Sequence, residues 1–329
     1  MSNLQLTVAM PDYDHTRDLA LGRVVPDGID LTCLILPVEE IFYRFLIHRE
    51  WDASEISFAK YCSMRAEGDD SLIGLPIFPA RIFRQSSLFV RRDGPIKEMT
   101  DVKNKRIGLP EWAQSAAVYS RGFLVEQYGI DLRDIEWVQA GTNEPGRKEK
   151  ANIKLRDGIQ LTRVAERSLN EMLLSGEIDG MFSARPPVSY NTGHPNIRRL
   201  YENFMEVESE YFSKTGIFPI MHAFAVRKEI LEKNPWVARN LFNAFNEAKN
   251  RSIARAMDGT VPMFPIPWCF EHARAGKELL GEDYFPYGVE PNRKTLEAFL
   301  RWAFEQGVCS RHLKVEDIFP AQMFGEVRV

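Results

Sequence analysis

The segment 75-LPIFPARIFRQSSLFVRR-92 decides how the chain is read. It opens with Pro76 and Pro79, sets Arg81 and Arg84 beside Phe78 and Phe83, and runs into the apolar Ser87-Leu88-Phe89-Val90. Proline fixes φ and removes a donor, so both prolines mark loop or strand-edge backbone. One reading is a proline-bounded loop before a buried strand, with solvated arginines. The other is a segment that lines a cleft and then crosses a hinge between two α/β lobes. In that reading the arginines hold an anionic aromatic ligand.

Working upstream, strands alternate with helices. Leu4, Leu6, Val8 and Met10 alternate as in a first strand. A polar turn, Pro11-Asp12-Tyr13-Asp14-His15, leads into a short helix stopped by Gly22. A strand carboxyl end running into a helix amino end is where open α/β folds bind ligands, which favours Tyr13, His15 and Arg17. A second strand is expected over residues 29–36. A helix after Pro37 carries Ile41, Phe42, Phe45 and Leu46 on one face. Residues 55–58 form a short strand in which Glu55 and Ser57 point to the same side.

Downstream, Asp93-Gly94-Pro95 is a turn, and a new α/β unit begins. Strands are expected at 106–109, 135–139 and 177–182, with helices at 113–128 and 163–174. Residues 141–157 read as an exposed loop. The chain then returns with a strand at 220–226 and helices at 235–257, 268–280 and 294–306. The expected architecture is α/β, with residues 1–90 plus 210–329 as a discontinuous lobe and 91–209 inserted between. The sequence leaves the oligomeric state open, with Trp236 and Trp302 on the C-terminal helices as exposed aromatics able to supply a homo-oligomer interface.

At 329 residues the chain is long for one compact core. Its net charge of −4 and lack of a basic run argue against nucleic acid. No stretch approaches the ~18 apolar residues of a membrane helix. The N-terminus lacks a basic leader and a continuous apolar core, so a cytoplasmic protein is expected. The four cysteines form no CxxC pair and read as reduced thiols. No histidine pair has HxH or HExxH spacing, so no metal is expected, although His15, Asp12, Glu55 and His222 make one geometrically conceivable. No GxSxG, GxGxxG or Walker loop is present, which argues against a nucleophile elbow and against nucleotide cofactors. What remains is a set of arginines at element ends: Arg17, Arg81, Arg84, Arg121 and Arg185. Arginine forks match carboxylates bidentately. His222, in an apolar strand, reads either as a satisfied core residue or as a proton donor.

Eight segments together resemble the 4,5-dihydroxyphthalate decarboxylase family. They are DYDHTRDL (12–19), PDGIDL (26–31), SEISFAKY (54–61), PIFPARIFRQSSLFV (76–90), GLPEW (108–112), YSRGFLVEQYGI (119–130), SGEIDGMFSARPP (175–187) and TGIFPIMH (215–222). The resemblance implies a two-lobe fold similar to type 2 periplasmic solute-binding proteins, with a central ligand cleft and a hinge. It also implies a lyase acting on a small hydroxylated aromatic diacid without an organic cofactor. The chain departs from the resemblance at Gln85, where a histidine is expected. The roles that follow place His222 as proton donor, with His15 second, and Glu55 as acceptor of a phenolic proton. Ser57 and Tyr13 bond the ring hydroxyls, and Arg81 and Arg84 hold the carboxylate that stays. Phe78, Phe83 or Trp112 face the one that leaves, and Arg17, Arg121 and Arg185 add charge. The alternative function is a solute-binding protein for an aromatic carboxylate that performs no chemistry.

Overall fold

The computed structural model describes residues 3–325. The chain starts with β1 (Leu4–Met10), α1 (Asp14–Ala20), β2 (Ile29–Ile35), α2 (Val38–His48), β3 (Ala53–Ser57), α3 (Phe58–Ala66) and β4 (Leu72–Leu75). A second set follows: β5 (Leu88–Arg91), β6 (Arg106–Leu109), α4 (Ser115–Tyr128), β7 (Glu136–Gln139), β8 (Gln160–Arg163), α5 (Leu169–Ser175), β9 (Gly180–Phe182), α6 (Val188–Asn191), β10 (Ile197–Arg199) and α7 (Phe204–Thr215). The return comprises β11 (His222–Arg227), α8 (Lys228–Lys233), α9 (Val237–Ala256), α10 (Cys269–Leu280) and α11 (Arg293–Glu305).

Packing divides these elements into two units. Unit 1 is Met1–Arg81, Ile220–Leu296 and Lys314–Val329, and unit 2 is Ile82–Pro219 and Glu297–Leu313. Residues 297–313, which the sequence reading leaves with the first lobe, therefore belong to unit 2.

Unit 1 is built on a five-stranded sheet, β2-β1-β3-β11-β4. β1 pairs in parallel with β2 and β3, while β11 runs antiparallel between β3 and β4. β3 is central and buried along its whole length, although its sequence is ASEIS. The helix α9 covers the sheet with a stripe that includes Val237, Leu241, Ala244, Phe245 and Ala248, the spacing of one buried helical face. Phe224 of β11 packs on Phe245 of α9, with ring centroids 4.6 Å apart.

Unit 2 carries a six-stranded sheet, β10-β5-β9-β6-β7-β8. Strands β9, β6, β7 and β8 are parallel, and β5 closes them antiparallel. The core includes Phe89, Val138, Leu169, Met172, Leu173, Ile178 and Met181. Arg163, expected to begin a helix, instead ends β8, which pairs along β7 at the sheet edge. The helix begins only after Ser168, whose side chain caps it reciprocally with Glu171. The helix α7 was not foreseen.

Buried polar contacts tie residues 297–313 to α4. Gln306 accepts from Arg121 Nε at 2.9 Å and donates to the Val118 carbonyl at 3.0 Å. Its own carbonyl accepts from Trp112 Nε1 at 2.8 Å. Trp302 is 2% exposed, donates to Glu126 at 2.8 Å, and lies over Gly122. The expectation of Trp302 as an exposed interface aromatic is thus corrected, because its indole fills the space a Cβ at Gly122 would occupy. Trp236 is 42% exposed.

A Cβ at Gly122 would stand 2.4 Å from the Trp302 ring. Gly122→Ala should therefore destabilise the protein by about 1–3 kcal/mol, despite alanine's better helix propensity. A urea midpoint unchanged or raised by this substitution would show that the indole yields freely.

Candidate active site

The site grows from a carboxylate where strand chemistry disfavours one. Glu55 lies on the central strand β3 and is fully buried. Such a charge is costly unless it is hydrogen-bonded. Strand register supplies its first partner. β11 runs antiparallel to β3 with His222 opposite Ser57 and Phe224 opposite Glu55. Residues directly opposite one another share a face, so Ser57, Glu55, His222 and Phe224 all project to one side. His222 and Glu55 are diagonal neighbours there, and His222 Nδ1 bonds Glu55 Oε1.

The second partner comes from the end of β1. Tyr13 N–H bonds the Pro11 carbonyl, which turns the chain and leaves Tyr13 as the residue preceding α1. Its hydroxyl donates to the same Glu55 Oε1 at 2.9 Å. Burial first, and then the Glu55 charge, push the Tyr13 phenol far above its ordinary value, so it stays protonated. Glu55 Oε2 is buried with no hydrogen-bond partner among the described residues.

Rings enclose this pair. Phe42 of α2 meets the His222 ring edge-on at 4.8 Å. His15 stacks on Tyr13 at 5.0 Å and touches Phe285 at 5.2 Å. His15 Nε2 lies 2.9 Å from the Pro79 carbonyl, which can only accept, so Nε2 carries the proton. Burial lowers the His15 pKa from its ordinary value, so the neutral ring is favoured. A neutral His15, with its Nε2 proton directed at the Pro79 carbonyl, props the Tyr13 ring.

Cations stand behind the rings. Lys249, fully buried on α9, pairs with Asp283 and lies 5.3 Å from the centre of the Tyr287 ring. Burial lowers its pKa, with Asp283 opposing. Arg81 is nearly buried and donates from Nη1 to the Pro286 carbonyl at 2.9 Å. Ser57 is also buried at the end of β3. Lys249, Phe42, Phe285 and Tyr287 escaped the sequence reading of the site. Lys249 did leave a signal, an ionisable residue within the apolar stripe of a helix.

Each of the other expected residues has its own setting within its unit. Arg17 is on the surface and pairs with Asp12 and Asp14, because the turn that starts α1 is itself acidic. Phe78 is fully buried in unit 1 between Phe58 and Phe319. Arg84 is in unit 2, where burial holds its pKa down at about 10 against the opposing charge of Glu208. Phe83, also in unit 2, stacks on Phe218 at 4.8 Å. Arg121 is fully buried, stacked 3.8 Å from the centre of the Trp112 ring and bonded to Gln306 and the Trp112 carbonyl. Burial brings its pKa down to about 9. Trp112 is likewise fully buried, edge-on to Trp137. Arg121 and Trp112 are thus partners of one another in the core of unit 2. Arg185 is exposed on unit 2. Gln85 is buried, with its side-chain oxygen accepting from the Arg84 backbone at 3.3 Å. Among the described residues, no three His, Cys, Asp or Glu side chains gather as a metal site requires, and no helix is long and apolar enough to cross a membrane.

No protein-family profile matches the chain. Among solved structures, it is similar to the periplasmic aliphatic sulphonate binding protein SsuA from Escherichia coli, with a TM-score of 0.56 and 14% identity, covering 98% of this chain and 99% of that one. That likeness shows the fold, the type 2 periplasmic-binding-protein-like architecture of two α/β units. A protein from Pseudomonas putida named 4,5-dihydroxyphthalate decarboxylase is 36% identical over 213 residues, 64% of this chain and 83% of that one. A protein of the same name from Comamonas testosteroni is 36% identical over 325 residues, 98% of each chain. Identity at that level along nearly the whole length places the chain in the 4,5-dihydroxyphthalate decarboxylase family, and it is a carboxy-lyase.

Proposed function

We propose that the chain decarboxylates 4,5-dihydroxyphthalate to protocatechuate without an oxidant, with Glu55 and His222 handling the protons. The relatives' name supports the substrate. The observation that carries the chemistry is one buried carboxylate oxygen holding both the His222 ring and the Tyr13 hydroxyl.

The substrate has a hydroxyl para to each carboxylate. Loss of a hydroxyl proton pushes electron density through the ring onto the carbon that bears the carboxylate. A general acid protonates that carbon. The bond to the carboxylate then breaks, carbon dioxide leaves, and the electron pair restores the aromatic ring. The phenolate regains its proton, so the net change is uptake of one proton and release of one carbon dioxide.

Each residue's task follows from its place. Glu55 Oε1 fixes His222 through Nδ1, which leaves Nε2 to carry the proton delivered to the ring carbon. A carboxylate that orients a histidine also stabilises its charged form. Glu55 Oε2 takes the phenolic proton. Tyr13 helps to hold the carboxylate in place. Arg81, anchored on Pro286, is assigned to the carboxylate that remains. A cation clamped on the departing carboxylate would stabilise the ground state and slow its loss.

Purified, chelator-treated protein should release carbon dioxide from 4,5-dihydroxyphthalate and none from phthalate. Tight binding of either compound with no release would instead mark a solute-binding protein. His222→Ala should lower kcat by about 10²–10⁴-fold while substrate still raises the melting temperature. Normal turnover by this variant would remove His222 from the chemistry. His15 gives a pH dependence of stability. Its folded pKa lies below the unfolded value of 6.5, so the unfolded chain binds the extra proton as pH falls below 6.5. The His15 contribution to stability is therefore full above that value and is lost on acidification. The urea midpoint should fall less between pH 7.5 and about 5.5 in His15→Asn than in the unmodified protein. Equal falls would mean that His15 protonates as readily folded as unfolded.

A further inference from the structure

Two buried polar atoms of unit 1 lack partners among the described residues and belong to one ring-lined cluster: Glu55 Oε2 and the Tyr287 hydroxyl. Buried polar atoms are seldom left unpaired, so two in one cluster call for a partner the protein does not itself supply. Contacts connect them. Tyr287 meets Phe285 at 6.4 Å, Phe285 meets His15 at 5.2 Å, His15 stacks on Tyr13 at 5.0 Å, and Tyr13 bonds Glu55 at 2.9 Å. The Glu55 charge also acts on the Tyr287 phenol, which burial first and then that charge keep protonated.

The loop bearing Tyr287 is pinned on both sides. Arg81 holds the Pro286 carbonyl at 2.9 Å, and the Gly288 N–H bonds the Pro76 carbonyl at 2.8 Å. Asn292 donates to the Pro286 and Gly288 carbonyls at 3.0 and 2.8 Å. Lys249 lies against the Tyr287 ring. The loop backbone that carries the phenol is therefore held in place.

The two atoms differ in kind. An ionised carboxylate oxygen only accepts, whereas a protonated phenol in this setting has a hydrogen to donate. A hydroxyl has the chemistry to satisfy both, because it donates to the first and accepts from the second. A carboxylate would be repelled by Glu55, and an ammonium would offer Tyr287 no lone pair.

We infer that Tyr287 and Glu55 Oε2 together read a ring hydroxyl of the substrate, and that Tyr287 donates to its oxygen as the proton passes to Glu55. Tyr287 is then a specificity-determining residue that supports the developing phenolate. The inference rests on the proposed decarboxylation. It accounts for why the site needs a second buried phenol besides Tyr13, which is already committed to Glu55 Oε1.

The test compares Tyr287→Phe with the unmodified protein, using 4,5-dihydroxyphthalate as substrate and phthalate as competitive inhibitor. Phenylalanine keeps the ring that Lys249 and Phe285 pack against, so the phthalate inhibition constant should not change, which also reports an intact site. The kcat/KM for 4,5-dihydroxyphthalate should fall about 10- to 100-fold, mostly in kcat. Unchanged kcat/KM, or equal weakening of both compounds, overturns the inference while leaving the reaction standing. Absence of carbon dioxide release by the unmodified protein overturns the reaction itself, and the inference with it.

Discussion

A carboxylate on a central strand is the constraint from which the site follows. Glu55 has no access to water, and its strand is flanked by β1 and β11. An isolated ionised group there would be prohibitively expensive, so the fold must deliver donors to it. It does so through backbone geometry. The antiparallel register of β11 brings His222 alongside, and the turn after β1 brings Tyr13. Both bonds go to one oxygen, which leaves the other for chemistry. The arrangement repeats a general logic in which a carboxylate orients a histidine and the histidine moves the proton.

The surrounding residues make this pair selective. Burial keeps Tyr13 and Tyr287 protonated and favours neutral His15, so the two phenols can act as donors and the imidazole as a support. Lys249 offsets the negative charge of Asp283, and Arg81 fixes the loop that carries Tyr287. In unit 2 the same physical problem has a different outcome. Arg121 is buried just as deeply, yet it is held by an indole, a carbonyl and an amide, and it organises a core.

The contrast explains what the sequence revealed and what it hid. The alternation of strands and helices gave the α/β architecture, and Glu55, His222 and Tyr13 were recognisable as polar residues at strand ends. Their convergence was not legible, since Glu55 and His222 lie 167 residues apart and only the register of β11 joins them. The arginines misled for a related reason. An arginine near an element end looks the same in sequence whether it meets a ligand, an acidic turn or a tryptophan. Arg17 meets the acidic turn, and Arg121 finds Gln306 at a separation of 185 residues. Tyr287 lay in an irregular loop, where periodicity carries no information. The resemblance to a family spanned these gaps because it rests on residues in both units.

The central claim is that Glu55 fixes the histidine through Nδ1. Nitrogen-15 NMR of histidine-labelled protein at neutral pH tests it most directly. The account predicts a proton on His222 Nδ1, shifted downfield by its bond to the carboxylate and displaced in Glu55→Gln. A neutral His222 protonated only at Nε2, with the same spectrum in that variant, would contradict it.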